Sequence, residues 1–507
     1  MCSICPPFMT TNTAYLDLEA RFRRLSAVEG AMAILGWDRS TMMPQGSAED
    51  RGEQTATLGV IAHEMMSAPQ VGDLLAAADA AGELDTWQAA NLREMRRGWI
   101  HATALSPALV EAMARATNRC EMAWREARPK NDYAGLKPHL QAVLDLVRET
   151  AQAKAAKLGV SSYDALLDQF EPDGRSARID VLFAELEAFL PDLLRRVVER
   201  QAALPTPLPL PGPFPVEAQR RLGIEMMKAV GFDFAKGRLD VSAHPFTGGT
   251  PDDVRLTTRY DEADFARALM GVLHETGHGM YESGLPAAWR HQPVGRARGM
   301  ALHESQSLLL EMQACRGRAF ITFAAPRMQS AFGGTGPAWA ADNILRLYTV
   351  VKPGFIRVDA DEVTYPLHVI LRYRLERAMI AGDLSLDDLP GAWNDGLARD
   401  LGIRPPTDTL GCLQDIHWPD GAWGYFPTYT MGALAAAQLF QAACAADADI
   451  EPGLARGDFA PLYRWLRPHV HEKGASAGTD DLLQAATGAP LGAGAFRRHL
   501  ERRYLEA

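Results

Sequence analysis

Cysteine is scarce in this sequence. Six in 507 residues are too few and too scattered for a disulfide framework. Cys2 and Cys5 have C-x-x-C spacing, but neither a second pair nor a redox context follows. The thiols read as reduced and the chain as cytoplasmic. Long apolar runs are missing too: no stretch of about eighteen apolar residues exists, so no transmembrane span is expected. The opening MCSICPPFMTTNTAY lacks a basic start and a long apolar core, so no signal peptide is expected. Positive charge is also short. A formal net charge of −11, without any basic run, excludes general affinity for nucleic acid or an anionic membrane.

What is present reads as helix. Hydrophobic residues make up 47% and charged residues 23%, ordinary for a globular enzyme. Helices are predicted over 13–36, through 50–157 with breaks near Ser67–Gln70, Ala81–Gly82 and Ser106–Pro107, and over 162–170 and 178–202. Strand signals are nearly absent from this first third. Residues 204–215, LPTPLPLPGPFP, favour an extended polyproline connector between a helical portion (1–203) and a catalytic portion (216–507). A helix at 216–230 leads into two short predicted strands, Arg238–Val241 and Val254–Tyr260, around the loop AHPFTGGTPDD. An edge strand here would let a peptide substrate add as a further strand. Residues 355–380 read as a strand-like start passing into a helix. Helices are again predicted at 432–446, 458–466 and 480–505.

The chemistry concentrates at 271–280, GVLHETGHGM. On a helix, His274 and His278 project from one face one turn apart, close enough to share an ion. Glu275 stands beside them, placed to take a proton from water. Such a short pattern can arise by chance, so its context matters. Asp261 is the expected N-cap, Phe265, Leu269 and Leu273 form an apolar stripe, and Gly284 offers a stop. The next predicted helix begins near Gly299 and puts Glu304, Leu308, Glu311 and Cys315 on one face. A carboxylate on an apolar face must be paired or hold a metal, which makes Glu304 the leading third ligand, Glu311 the second choice and His303 the third. His471-Glu472-Lys473 opens like the same motif, but Ala475 stands where a second histidine would be needed.

Seven ordered segments extend the pattern: LGWDRSTMMPQG (35–46), His244–Phe246, Asp253–Thr257, His274–His278, His303–Ser307, Ile356–Asp361, and Gly411–Trp418 continuing to GYFPTY. Over nearly the whole chain they resemble the M32 family of metallocarboxypeptidases, the thermostable carboxypeptidase Taq type. The resemblance implies a mostly helical single domain over 1–507. It would have a deep cleft and a small β element, similar to neurolysin and angiotensin-converting enzyme. It also implies removal of single residues from peptide C-termini, zinc or cobalt as the metal, and a homodimer. By motif, the ligands would be His274, His278 and Glu304, the general base Glu275, and the family's I-R-x-x-A-D arginine Arg357. Leu308 departs from the pattern, since the family tends to carry arginine there.

An oxyanion needs a donor, and Tyr425, Tyr429, His417 and His244 are the candidates; motif position favours Tyr425. Arg357 is expected to bind the substrate's α-carboxylate, against the plainer expectation of a salt bridge with Asp359 or Asp361. Arg255 is the next arginine in line. An endopeptidase on the same scaffold remains open at this point. A catalytically silent scaffold is disfavoured because Glu275 and all three ligand candidates are intact.

Overall fold

Caps and breakers cut the first third into packed helices. Thr13–Thr41 starts where the Asn12 side chain accepts the Tyr15 N–H at 3.0 Å. Thr86–Thr103 starts with a capping box between Asp85 and Gln88 that satisfies two otherwise orphaned donors. Pro107–Lys130 opens on Ser106 and a proline in its first turn, as a fixed φ favours. The computed structural model describes residues 10–506, so Cys2 and Cys5 lie outside the described residues. The predicted breaks near 67–70, 81–82 and 106–107 coincide with helix ends. One break escapes the sequence pattern: Asn131 takes a left-handed conformation at φ 55°, and Asp132 caps the next helix, Tyr133–Leu158.

Two cores form. A small one gathers Tyr15, Leu18, Phe22 and Leu25 with Val71, Leu75, Leu92 and Met95. The main one runs from Ala116 to Tyr504, on both sides of the proline-rich stretch. That stretch is anchored: the Asn343 amide bonds both the N–H and the carbonyl of Leu208. Phe214 is buried against Phe265, Phe332 and Trp339.

The sheet has three strands among the described residues: β1 (Gly237–Val241), β2 (Thr247–Thr250) and β3 (Asp253–Thr258), in the order β1-β3-β2. β1 pairs with β3 in parallel and β2 pairs with β3 antiparallel. β2 is absent from the sequence reading because TGGT carries little strand propensity. Its turn needs glycine: Gly249 has φ 91°, and a Cβ there would lie 2.0 Å from the Asp253 carbonyl. Val254 and Leu256 of β3 pack against the histidine-bearing helix at Gly279. Arg255 alternates onto the other face, over the Trp37 ring at 4.4 Å.

Two expectations are corrected. The histidine helix, Phe265–Gly284, is capped by Asp264, whose carboxylate accepts the Arg267 N–H at 3.2 Å. Asp261 instead accepts the Ala263 N–H at 2.9 Å, shaping the turn before it. No strand forms at 355–360; residues Arg357–Asp359 make one 3-10 turn. Side chains take the backbone donors there: Gln414 accepts the Arg357 N–H, and Asp361 accepts those of Val363 and Thr364.

Candidate metal centre

Two helices cross at Gly277. A Cβ at that position would stand 2.5 Å from the Gln306 carbonyl oxygen and 2.6 Å from the Ser307 Cα, so only glycine allows the approach. The crossing carries Glu304, on helix Gly299–Leu308, to the face where His274 and His278 lie one turn apart. Glu304 Oε2 stands 3.4 Å from His278 Nε2 and 3.9 Å from His274 Nε2. One donor atom from each of the three residues falls within 4.8 Å of the others.

The remaining nitrogens have partners that aim the rings. His274 Nδ1 lies 2.9 Å from Glu311 Oε2, while Glu311 Oε1 accepts from Arg316 at 2.6 Å. His278 Nδ1 donates to the His303 carbonyl at 3.1 Å. Both Nε2 lone pairs are thereby turned toward Glu304, the tautomer following from those partners. A tetrahedral ion holds such ligand atoms roughly 3.3–3.6 Å apart, and the two Glu304 separations lie close to that. The donor set of two imidazoles and one carboxylate therefore fits a divalent ion. Without an ion, burial resists charge on His274, but Glu304 and Glu311 outweigh it and hold the imidazole well above its ordinary range. Burial likewise opposes ionisation of Glu304, yet the histidines hold its carboxyl down.

Glu275 is buried, and Thr247 of β2 donates to its Oε2 at 2.6 Å. Arg357 Nε and Nη2 lie 3.1 and 2.9 Å from Asp415 Oδ1. The other oxygen of Asp415 accepts from Arg372 Nε at 2.6 Å. Two buried guanidiniums thus share one carboxylate, leaving an excess positive charge in a low-dielectric setting. Arg357 Nη1 reaches the Tyr365 hydroxyl at 3.5 Å, and its guanidinium lies 4.9 Å from the Tyr429 ring. His417 Nε2 lies 3.1 Å from the Tyr429 hydroxyl, and Tyr425 packs edge-on against Tyr429. Burial pushes the Tyr365, Tyr425 and Tyr429 hydroxyls up, and each also feels the charge of Glu304. Burial also lowers His417, to about 4, which leaves it neutral at pH 7.

Comparison with known proteins decides the family. The family described as Carboxypeptidase Taq (M32) metallopeptidase matches residues 17–504. The chain belongs to that family. Thermostable carboxypeptidase 1 of Thermus thermophilus is 38% identical over 98% of this chain and 99% of its own length. The Pyrococcus furiosus protein of the same name is 33% identical over 97% and 99%. Among solved structures, Trypanosoma cruzi metallocarboxypeptidase 1 superposes with a TM-score of 0.95 at 40% identity, covering 98% of this chain and 100% of that one. The M32 carboxypeptidase of Deinococcus radiodurans gives 0.91 at 36%, covering 97% and 99%. This chain is a metallocarboxypeptidase, a peptide hydrolase that needs a divalent metal.

Within this M32 fold the residues singled out from sequence separate into two groups. His274, Glu275, His278 and Glu304 converge, with Arg357, His417, Tyr425 and Tyr429 grouped nearby. His244 and Arg255 do not join them. The His244 side chain is exposed, and its carbonyl accepts from Ser242. Arg255 is bound to Asp253 at 2.6 and 2.9 Å on the sheet face turned to Trp37. The alternative ligands have other partners: Glu311 holds His274, and His303 stacks on His278 while its Nε2 pairs with Glu282. Asp359 pairs with Arg267 at 2.5 Å, and Asp361 with backbone donors. Neither meets Arg357. Thr247, Tyr365, Arg372 and the partner role of Asp415 went unread in the sequence. No spacing rule links them to the histidines, and the pairing of Arg357 and Arg372 with Asp415 exists only once the chain is folded.

Proposed function

We propose that this M32 enzyme is a zinc carboxypeptidase of broad specificity, in which His274, His278 and Glu304 hold the ion. The observation that carries the exopeptidase reading is the pair Arg357–Arg372 on a single carboxylate, Asp415. Bringing a substrate's α-carboxylate to Arg357 neutralises the surplus charge, and the planar guanidinium offers it donors with matching geometry. An internal segment of a longer peptide brings no such charge, which disfavours an endopeptidase.

A bound divalent ion acidifies water and polarises the scissile carbonyl. Glu275 takes the proton from the attacking water and returns it to the departing amine. Thr247 holds one carboxylate oxygen of Glu275 in place, leaving the other for this transfer. Tyr425 or Tyr429 donates a hydroxyl hydrogen to the oxygen on which charge develops. Neutral His417 at the Tyr429 hydroxyl fixes that hydroxyl. The unpaired edge of β2, next to Glu275, supports the substrate's backbone as an added strand.

The wider reading is one catalytic domain over 1–507 with 204–215 as an internal connector. Zinc is preferred to cobalt for a His/His/Glu site. A homodimer rests on the family resemblance. A cytoplasmic location rests on sparse cysteine; among the described residues no helix is long and apolar enough to cross a membrane. The test is mass spectrometry of a mixed peptide digest treated with the purified enzyme. Stepwise C-terminal ladders that vanish with a chelator support the reading; internal cleavage without ladders overturns it.

A further inference from the structure

Glu311, the carboxylate that aims His274, sits on a widened helical turn, Leu309–Cys315. Such π-type turns are poorly stable alone and need outside support. The support comes from far along the chain, from helix Gly494–Glu501 and the turn that follows it, Arg502–Glu506. Arg503 Nη1 donates to the Met312 carbonyl at 2.6 Å, and Nη2 to the Gln313 carbonyl at 3.1 Å. These are the two residues directly after Glu311. A guanidinium at this position caps the C-terminal end of the turn, where a cation complements the backbone dipoles.

The same Arg503 Nη1 lies 2.8 Å from Glu362 Oε2. Tyr504 donates its hydroxyl to that oxygen at 2.7 Å, and His499 Nε2 lies 3.0 Å from Oε1. Glu362 is buried, five residues beyond Arg357. Arg316, which pairs with Glu311, also feels the charge of Glu362. The result is a continuous, partly buried path: Glu362 to Arg503 to the Met312 and Gln313 carbonyls, then Glu311 to His274.

We propose that Arg503, with Tyr504 and His499 behind it, is a positioning residue for the metal centre: it clamps the turn Leu309–Cys315 so that Glu311 holds His274 at its ligating angle. The clamp touches neither substrate nor ion. It rests on the reading of His274 as a ligand.

The experiment uses the full-length chain, stripped of metal and titrated with zinc against a chromophoric chelator. Partners one step outside a ligand change metal affinity by about 10–100-fold, so Arg503→Met, acting through one more step, is expected to weaken zinc binding by about tenfold. Arg503→Lys, which keeps a cationic donor, lies between parent and Met variant. Arg502→Met, on the neighbouring residue with an exposed pair to Glu451, binds zinc as the parent does. Cobalt-loaded Arg503→Met shows a shifted d–d band, which loss of general stability does not produce. The proposal is overturned if Arg503→Met binds zinc within about twofold of the parent, or if Arg502→Met weakens it equally. Should Arg503→Met fail to fold, Tyr504→Phe decides: weaker zinc binding supports the clamp and unchanged binding refutes it. Glu304→Ala serves as the reference. If it retains zinc, the ligand set itself is wrong, a failure distinct from that of the clamp.

Discussion

Thr247 Oγ1 lies 2.6 Å from Glu275 Oε2, so the edge strand of the sheet and the histidine-bearing helix meet at Glu275, a carboxylate outside the His274–His278–Glu304 cluster. A short hydrogen bond to a charged group is worth about 1.5–3 kcal/mol. Thr247→Val, which keeps the shape of the side chain, is therefore expected to lower kcat by roughly ten- to a hundredfold with KM little changed. Glu275→Gln, which removes the base, should cost about 10²–10⁴ in kcat while zinc content stays at parent level. Steady-state kinetics beside metal analysis check both. Unchanged kcat in Thr247→Val would leave Thr247 a structural residue only.

Gly277→Ala places a methyl against the backbone of Gln306 and Ser307. Backbone gives way less readily than side chain, so the helices carrying His274 and Glu304 must separate. The expected result is a stability loss of about 1–3 kcal/mol together with weaker zinc binding. Denaturant melts and a zinc titration measure the two. Loss of neither would mean that the crossing is looser than its geometry.

Glu171 provides a pH signature away from the ion. It accepts from Thr479 Oγ1 and, at 3.0 Å, from the Ala301 N–H. Burial pushes its carboxyl up to about 7. The folded state therefore keeps a proton that the unfolded chain has already released, and stability falls as pH rises from the ordinary carboxylate range to about 7. Glu171→Gln imitates the protonated form and lacks this dependence. The difference in Tm, variant minus parent, should grow between about pH 5 and pH 8. A constant difference across that range would contradict the assignment.

The helical frame and the chemistry-bearing segments were legible in the sequence for a simple reason: both follow from local pattern. The period of Phe265, Leu269 and Leu273 placed His274 and His278 on one helix, and Glu304 stood out as an acid on an apolar face. The cap was misplaced by three residues because both aspartates accept backbone donors there, and only Asp264 takes one from the helix's first turn, the Arg267 N–H. β2 stayed hidden because TGGT becomes a strand only through pairing with β3. Asp415 as the partner of Arg357 was out of reach for another reason. It lies 58 positions away in the chain, whereas Asp359 and Asp361 were close in sequence and turned elsewhere.

The central claim is that surplus positive charge at Arg357 makes this site an exopeptidase. The most direct measurement is kcat/KM for the parent and Arg357→Ala on a matched pair of peptides, one a free acid and one a C-terminal amide. With a charge-assisted bond worth about 1.5–3 kcal/mol, the variant should lose roughly ten- to two-hundredfold on the acid and much less on the amide, already a poor substrate for the parent. Equal losses on acid and amide would contradict the account and leave Arg357 as the structural partner of Asp415.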